Sequence, residues 1–345
     1  MAGHRVRNAA LSGYVGLARS LGVDPLALIR SAGLDPLALV NPDGWISAVA
    51  VDHLLEASAA AAACESFGLR LAETRQLSHF GALSLVAQEE PDVRSAVSVL
   101  LLHGDLHNEA VHSRLVEAHG LATVRVAGTE IALGRQSTEL AVAVLVQILR
   151  NFLKPDWQPV SVCFTHDSPS GLEVHQRVLG DSVVFNHTFN GIVLYSDQLD
   201  AENPMSDPSL RPYAQQYLES ISRRSHPTIT GQVRKAIETL LPTGRCSINY
   251  VAQSLSLDQR TLQRRLAHSN ETFAGIRNSV RVELAECYVR NREHSLTWVA
   301  EELGFSSLSS FSRWFRGEFG HGPRAWSAAG MRPPPPAPKL SRRGG

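Results

Sequence analysis

The stretch VAEELGFSSLSSFSRWFRGEFGHGPRAW, Val299 to Trp326, decides how the last third of this chain folds. Val299, Ala300 and Leu303 are spaced to share one helix face. Gly304 follows, the residue type that closes a helix with positive φ at little cost. Phe305 anchors a turn, and Ser306 or Ser307 offers a hydroxyl to cap a second helix. In that second helix Phe311 and Phe315, at i and i+4, face inward, while Ser309, Ser310, Ser312 and Arg313 remain outward.

Upstream, INYVAQSLSLDQRTLQRRL, Ile248 to Leu266, repeats the arrangement. Val251, Ala252 and Leu255 form the inner face of its first helix, and Ser256 and Leu257 make the turn. Asp258 is the expected N-cap, and Leu262 and Leu266 are the inward pair of the second helix. Arg260, Thr261, Gln263, Arg264 and Arg265 fall on its other faces. A positioning helix, a brief turn and a polar second helix make a helix-turn-helix unit. Trp298, Trp314 and Trp326, interleaved with the apolar positions, are expected in the core rather than stacked on bases.

Charge divides the chain in the same place. Residues 226–345 carry 17 Lys+Arg against 9 Asp+Glu, and residues 1–225 carry 16 against 24, so a net charge of zero hides an acidic body and a basic end. That asymmetry suits contact with a polyanion.

The two motifs together, RTLQRRL (Arg260 to Leu266) and Val299 to Trp326, resemble the C-terminal domain of the AraC/XylS transcription regulators. LESI (Leu218 to Ile221) and LLPTGRCS (Leu240 to Ser247) resemble the subgroup with a large N-terminal domain, typified by ornithine-utilisation and mycobacterial virulence regulators. The resemblance implies an all-α C-terminal domain of two helix-turn-helix subdomains joined by a long helix, about Ile276 to Asn291. It implies base reading by Arg260, Gln263 and Arg264 in the first unit and by Ser309, Ser310 and Arg313 in the second. Thr261, Arg265, Ser312 and Arg316 are the expected phosphate contacts. Arginine suits guanine and glutamine suits adenine through paired hydrogen bonds, which favours these residue types at a groove. The implied partners are double-stranded promoter DNA, RNA polymerase, a small-molecule effector and a second copy of the chain, with activation the expected mode.

Residues 1–200 read as an α+β domain for effector sensing or dimerisation, 201–227 as a linker rich in breakers (Asn203-Pro204, Asp207-Pro208, Arg211-Pro212), 228–331 as the DNA-binding domain, and 332–345 as a disordered proline-rich tail. Within the first zone, helices are expected at Tyr14 to Leu21, after Asp24-Pro25, over Ser47 to Ala63, Pro91 to Leu102 and Ser137 to Leu153. Glu109 to Glu117 and Leu121 to Val126 read as a hairpin, and Val160 to Phe164, Ser182 to Phe185 and Ile192 to Tyr195 as strands.

Other functions find little support. The longest apolar run, Ala141 to Leu149, is far short of the ~20 residues of a membrane span. The first residues lack a leader pattern, so a cytoplasmic protein is expected. Cys64, Cys163, Cys246 and Cys287 include no CxxC pair, which argues against zinc and disulfides. His103, His107 and His112 cluster without any zinc spacing, and GxSxG, Walker-type and GxGxxG patterns are missing, so neither a cofactor nor catalysis is expected. A non-specific architectural DNA protein would need a broad basic surface rather than an acidic partner domain.

Overall fold

The computed structural model describes residues 4–129, 132–225, 229–244, 246–255, 257–291 and 295–329, and the predicted tail lies outside them. The chain divides into two compact units, residues 1–228 and 229–345.

The first unit is α+β and has two cores. The earlier one gathers helices Tyr14–Ser20, Pro25–Ser31, Ala48–Ala61 and Phe67–Ala72 around Tyr14, Ile29, Leu54, Leu55, Phe67 and Leu71. Their starts follow from the sequence: Asp24 accepts from the amides of Leu26 and Ala27 ahead of Pro25, and Ser47 accepts from Ala50. A small sheet pairs β1 (Arg5–Arg7) with β2 (Trp45–Ser47). These three-residue strands were not expected, since so short a segment carries no readable alternation.

The second core lies under a five-stranded sheet. Its strands are β3 (Val111–Ala118), β4 (Leu121–Gly128), β5 (Ser161–Cys163), β6 (Val183–Val184) and β7 (Asn190–Tyr195), in the order β3-β4-β7-β5-β6. Only β5 and β6 run parallel; the other pairs are antiparallel. The expected hairpin turns through His119 (φ 53°) and Gly120 (φ 77°), with Ala118 paired to Leu121. Two successive positive φ values give a loop whose twist matches its strands. Along β4, Ala122, Val124 and Val126 are buried and the residues between them are half-buried, the pattern of a sheet covered on one face. The cover is helices Val93–Leu102 and Arg135–Phe152, through Val97, Leu100, Val142, Val146 and Leu149.

Within the segment expected as a linker, residues 201–225 pack on the first unit. Asn203, 6% exposed, donates its side-chain amide to the carbonyls of Ala87, Gln88 and Glu90 and so closes the end of helix Ala82–Gln88. Helix Arg211–Ser225 then packs on that same helix, with Leu218 in the sheet-side core and Arg211 paired to the buried Glu90. The Asn-Pro and Asp-Pro breakers turn the chain back onto the first unit rather than releasing it.

The second unit is all-α. Helices Ile229–Leu240, Ile248–Ser254 and Gln259–His268 enclose one core, and Leu296–Glu302, Leu308–Phe319 and Pro323–Ala329 another. Helix Phe273–Asn291 serves both. Ile276 and Val280 enter the first core, Ala285 and Val289 the second. Each pair is spaced i, i+4, but Ala285 follows Val280 at i+5, so at 3.6 residues per turn the two pairs lie on faces about 180° apart. That offset aims one rigid helix at two separate cores.

Candidate nucleic-acid interface

Both two-helix units are built by the same local devices. In the first, Ser247 caps helix Ile248–Ser254, and the amide of Leu257 donates back to the Ala252 carbonyl at 2.8 Å. In the second, Ser295 caps Leu296–Glu302, and the amide of Phe305 donates to the Ala300 carbonyl at 2.9 Å. These six-to-one bonds close each positioning helix and turn the chain toward the next. Ser256 lies outside the described residues. Gly304 takes φ 67°, and a Cβ there would sit 2.5 Å from the Leu241 carbonyl oxygen, so the turn requires glycine twice over.

Asp258 caps the first outward helix, Gln259–His268, accepting from the Thr261 amide at 2.8 Å and from its hydroxyl at 2.7 Å. Those two bonds hold the Asp258 carboxyl below its ordinary pKa. Ser307, rather than Ser306, caps the second outward helix, Leu308–Phe319, through the Ser310 amide. Leu262 and Leu266 are buried beneath one helix, Phe311 and Phe315 beneath the other. Each such phenylalanine contributes roughly 1.5–3 kcal/mol by leaving water.

This anchoring fixes what remains outward. Arg260, Gln263, Arg264 and Arg265 are exposed on the first helix, and Ser309, Arg313 and Arg316 on the second. Thr261, Ser310 and Ser312 are half-buried. The Thr261 hydroxyl is engaged by Asp258, and the Ser310 hydroxyl lies 2.9 Å from that of Ser307. Matching Leu262 to Phe311 and Leu266 to Phe315 sets Arg260 against Ser309, Thr261 against Ser310, Gln263 against Ser312 and Arg264 against Arg313. Arg265 then corresponds to Trp314, which is half-buried. The second unit therefore repeats the geometry of the first with serine at three of its four matched outward positions.

Sequence reading missed the residues that orient the second unit. Asn278, on the long helix, accepts from the Trp314 indole at 2.9 Å and donates to Glu318 at 3.0 Å. Arg281 donates to the carbonyls of Leu303 and Gly304 at 2.9 and 3.1 Å and lies 4.3 Å from the centre of the Phe305 ring. Burial, then Arg277, lowers the pKa of Arg281, and burial pushes the Cys246 thiol up to about 11. Their polar type disguised these positions, because half-buried residues on a helix with a turning stripe look like solvated ones. Trp326, 2% exposed, packs against Phe315 and Phe319 as expected of a core tryptophan.

The histidine cluster of the first unit is dispersed. Helix Val93–Leu102 ends before His103, His107 is buried after a short turn, and His112 lies in β3. Among the described residues no group of three or more His, Cys, Asp or Glu side chains is placed to hold a metal, and Cys64, Cys163 and Cys246 are free thiols. No described helix is long and apolar enough to cross a membrane.

Comparison with known proteins agrees with this geometry. Residues 22–203 match the arabinose-binding domain of AraC transcription regulators, and residues 251–329 match a helix-turn-helix domain. The HTH-type transcriptional regulator VirS of Mycobacterium tuberculosis is 30% identical over 334 residues, 95% of this chain and 98% of that protein. The ornithine utilization regulator of Pseudomonas aeruginosa is 24% identical across 87% of this chain and 89% of its own. The HTH-type transcriptional activator RhaS of Salmonella arizonae is 39% identical over 75 residues, 21% of this chain and 27% of that protein. Among solved structures, the transcriptional regulator CdpR of Pseudomonas aeruginosa is 18% identical with a TM-score of 0.44, covering 88% of this chain and 96% of that one. The chain belongs to the AraC family of DNA-binding transcription regulators, in the form with a large N-terminal domain.

Proposed function

We propose that this regulator binds promoter DNA by laying helices Gln259–His268 and Leu308–Phe319 into successive major grooves on one face of the duplex. The observation that carries the reading is the pair of equally built outward helices, each capped and anchored, on one shared helix of 19 residues. At 1.5 Å per residue that helix spans about 28 Å, which suits groove centres roughly 34 Å apart once the width of each unit is included.

Arg260, Gln263, Arg264 and Arg313 are the leading base readers, with Ser309 and Ser310 in shorter reach. Arg265, Ser312 and Arg316 contact phosphates, and Thr261 joins them only by giving up its bond to Asp258. The first unit dominates sequence discrimination, since arginine and glutamine make paired contacts that serine does not. The N-terminal unit takes a small-molecule effector and joins two copies of the chain. The bound protein activates transcription by recruiting RNA polymerase, working in the cytoplasm without catalytic turnover. The name of RhaS as an activator and the match to an arabinose-binding domain favour these assignments.

Fluorescence anisotropy with the full chain tests the reading. Arg264→Ala is expected to cost about 1–3 kcal/mol on the specific site and to relax preference at one base position. Equal loss on specific and scrambled DNA would contradict base reading by Arg264.

A further inference from the structure

We infer that the N-terminal unit holds a binding site for a small carboxylate or phosphate-bearing molecule, formed by Arg7, Arg75, His79 and His107. The inference deepens the effector role proposed above, on which its regulatory meaning rests.

Main-chain contacts bring four nitrogen-bearing side chains into one part of the first unit: the Arg7 amide donates to the His107 carbonyl at 2.9 Å, and the Arg75 guanidinium reaches the Ala9 carbonyl. Arg7 comes from β1, Arg75 follows helix Phe67–Ala72, His79 lies in the turn Leu77–Phe80, and His107 ends the turn Gly104–Leu106. Arg75 donates to the Ala9 carbonyl, and its Nε is buried without a partner. His107 is 7% exposed, and its Nδ1 is likewise buried and unpartnered. Its ring lies on Phe80, with centroids 4.6 Å apart and planes 31° from parallel, so the site has an aromatic wall. The Arg7 guanidinium covers Gly81, where an added Cβ would fall 2.5 Å from its Nη1. Its acid partner is Asp43, whose side chain is 75% exposed.

The electrostatics point the same way. Burial, with the charges of Arg75, Arg7 and His79, pushes the His107 pKa down to about 3. Burial pushes Arg75 down to about 10, leaving it charged at neutral pH. A largely desolvated guanidinium is costly without a counter-charge, and a bound anion would supply one. Arginine forks match the planar oxygens of a carboxylate or the oxygens of a phosphate.

The test uses the full-length protein, with inorganic phosphate and acetate as separate probes at constant ionic strength and chloride as the reference anion. One probe or both is expected to move the ring resonances of His79 and His107 saturably. His268, which sits on the reading helix beside Arg264, should stay unmoved. A Tm rise of about 3 °C at tens of millimolar should accompany the shift. Arg75→Met should abolish both responses; if that variant does not fold, Arg7→Gln is expected to weaken them several-fold.

Responses equal to those in chloride, or movement of His268 alone, would overturn the site. Anisotropy on the same samples separates the two readings. Intact DNA binding without a His79 and His107 response removes the anion site and leaves the regulator, whereas the converse contradicts DNA reading and keeps the site.

Discussion

Replacing Gly304 with alanine perturbs the joint between the two DNA-reading units, and its neighbour in the same unit, Gly244, provides a built-in reference. Both glycines have nearly the same backbone, φ 67° and 68°. An alanine at either pays for the left-handed conformation, about 1–2 kcal/mol. Nothing lies within 4 Å of a Cβ at Gly244, whereas at Gly304 the Cβ meets the Leu241 carbonyl oxygen at 2.5 Å. Backbone must move to relieve that contact, and overpacking of this kind adds roughly 1–3 kcal/mol. Gly244→Ala should therefore destabilise the C-terminal unit by about 1–2 kcal/mol and Gly304→Ala by about 2–5 kcal/mol. Urea unfolding of the full chain, followed through the tryptophans of the second core, measures both. Because the Gly304 carbonyl also receives Arg281, the same substitution should weaken binding to a two-groove site more than to a single half-site. Equal stability losses for the two variants would refute the claim that this contact holds the second unit in place.

Two further outcomes follow from single groups. His107 titrates near 3 in the folded chain against an ordinary value of 6.5, so below pH 6.5 the unfolded chain binds the proton first and stability falls until about pH 3. The loss from this residue by pH 5 is about 2 kcal/mol, and His107→Gln should remove that part of the difference between urea midpoints at pH 7 and pH 5. An unchanged difference would contradict the burial argument. Trp314→Phe deletes the indole bond to Asn278 but keeps an aromatic ring, so it should cost about 1–2 kcal/mol of stability and reduce affinity for a two-groove site. Affinity unchanged at equal stability would show that Asn278 does not orient the second reading helix.

What was legible in the sequence was whatever local chemistry decides. Asp24, Asp258 and Ser307 cap the helices that follow them, because short oxygen-bearing side chains satisfy first-turn amides wherever the chain starts a helix. The hairpin at His119-Gly120 was equally readable, with alternation on both sides of a turn that tolerates positive φ. The outward faces of the reading helices followed from the inward pairs Leu262/Leu266 and Phe311/Phe315. Features set by distant partners were hidden. Asn203 looked like a linker breaker until its amide met three carbonyls more than a hundred residues away. Asn278 and Arg281 are half-buried on a helix whose apolar stripe changes face halfway, and nothing local marks them. Arg75 and His107 gain their meaning only where the fold brings them near Arg7 and His79.

The most direct test of the central claim is a genome-wide DNA pull-down with the purified full-length protein at a stated, near-physiological salt concentration, since phosphate contacts alone bind any DNA when salt is low. The account predicts enrichment of a shared motif spanning about two helical turns near a small number of promoters. Uniform recovery of all DNA at that salt would contradict it, because two anchored reading helices would then be binding the backbone and not the bases.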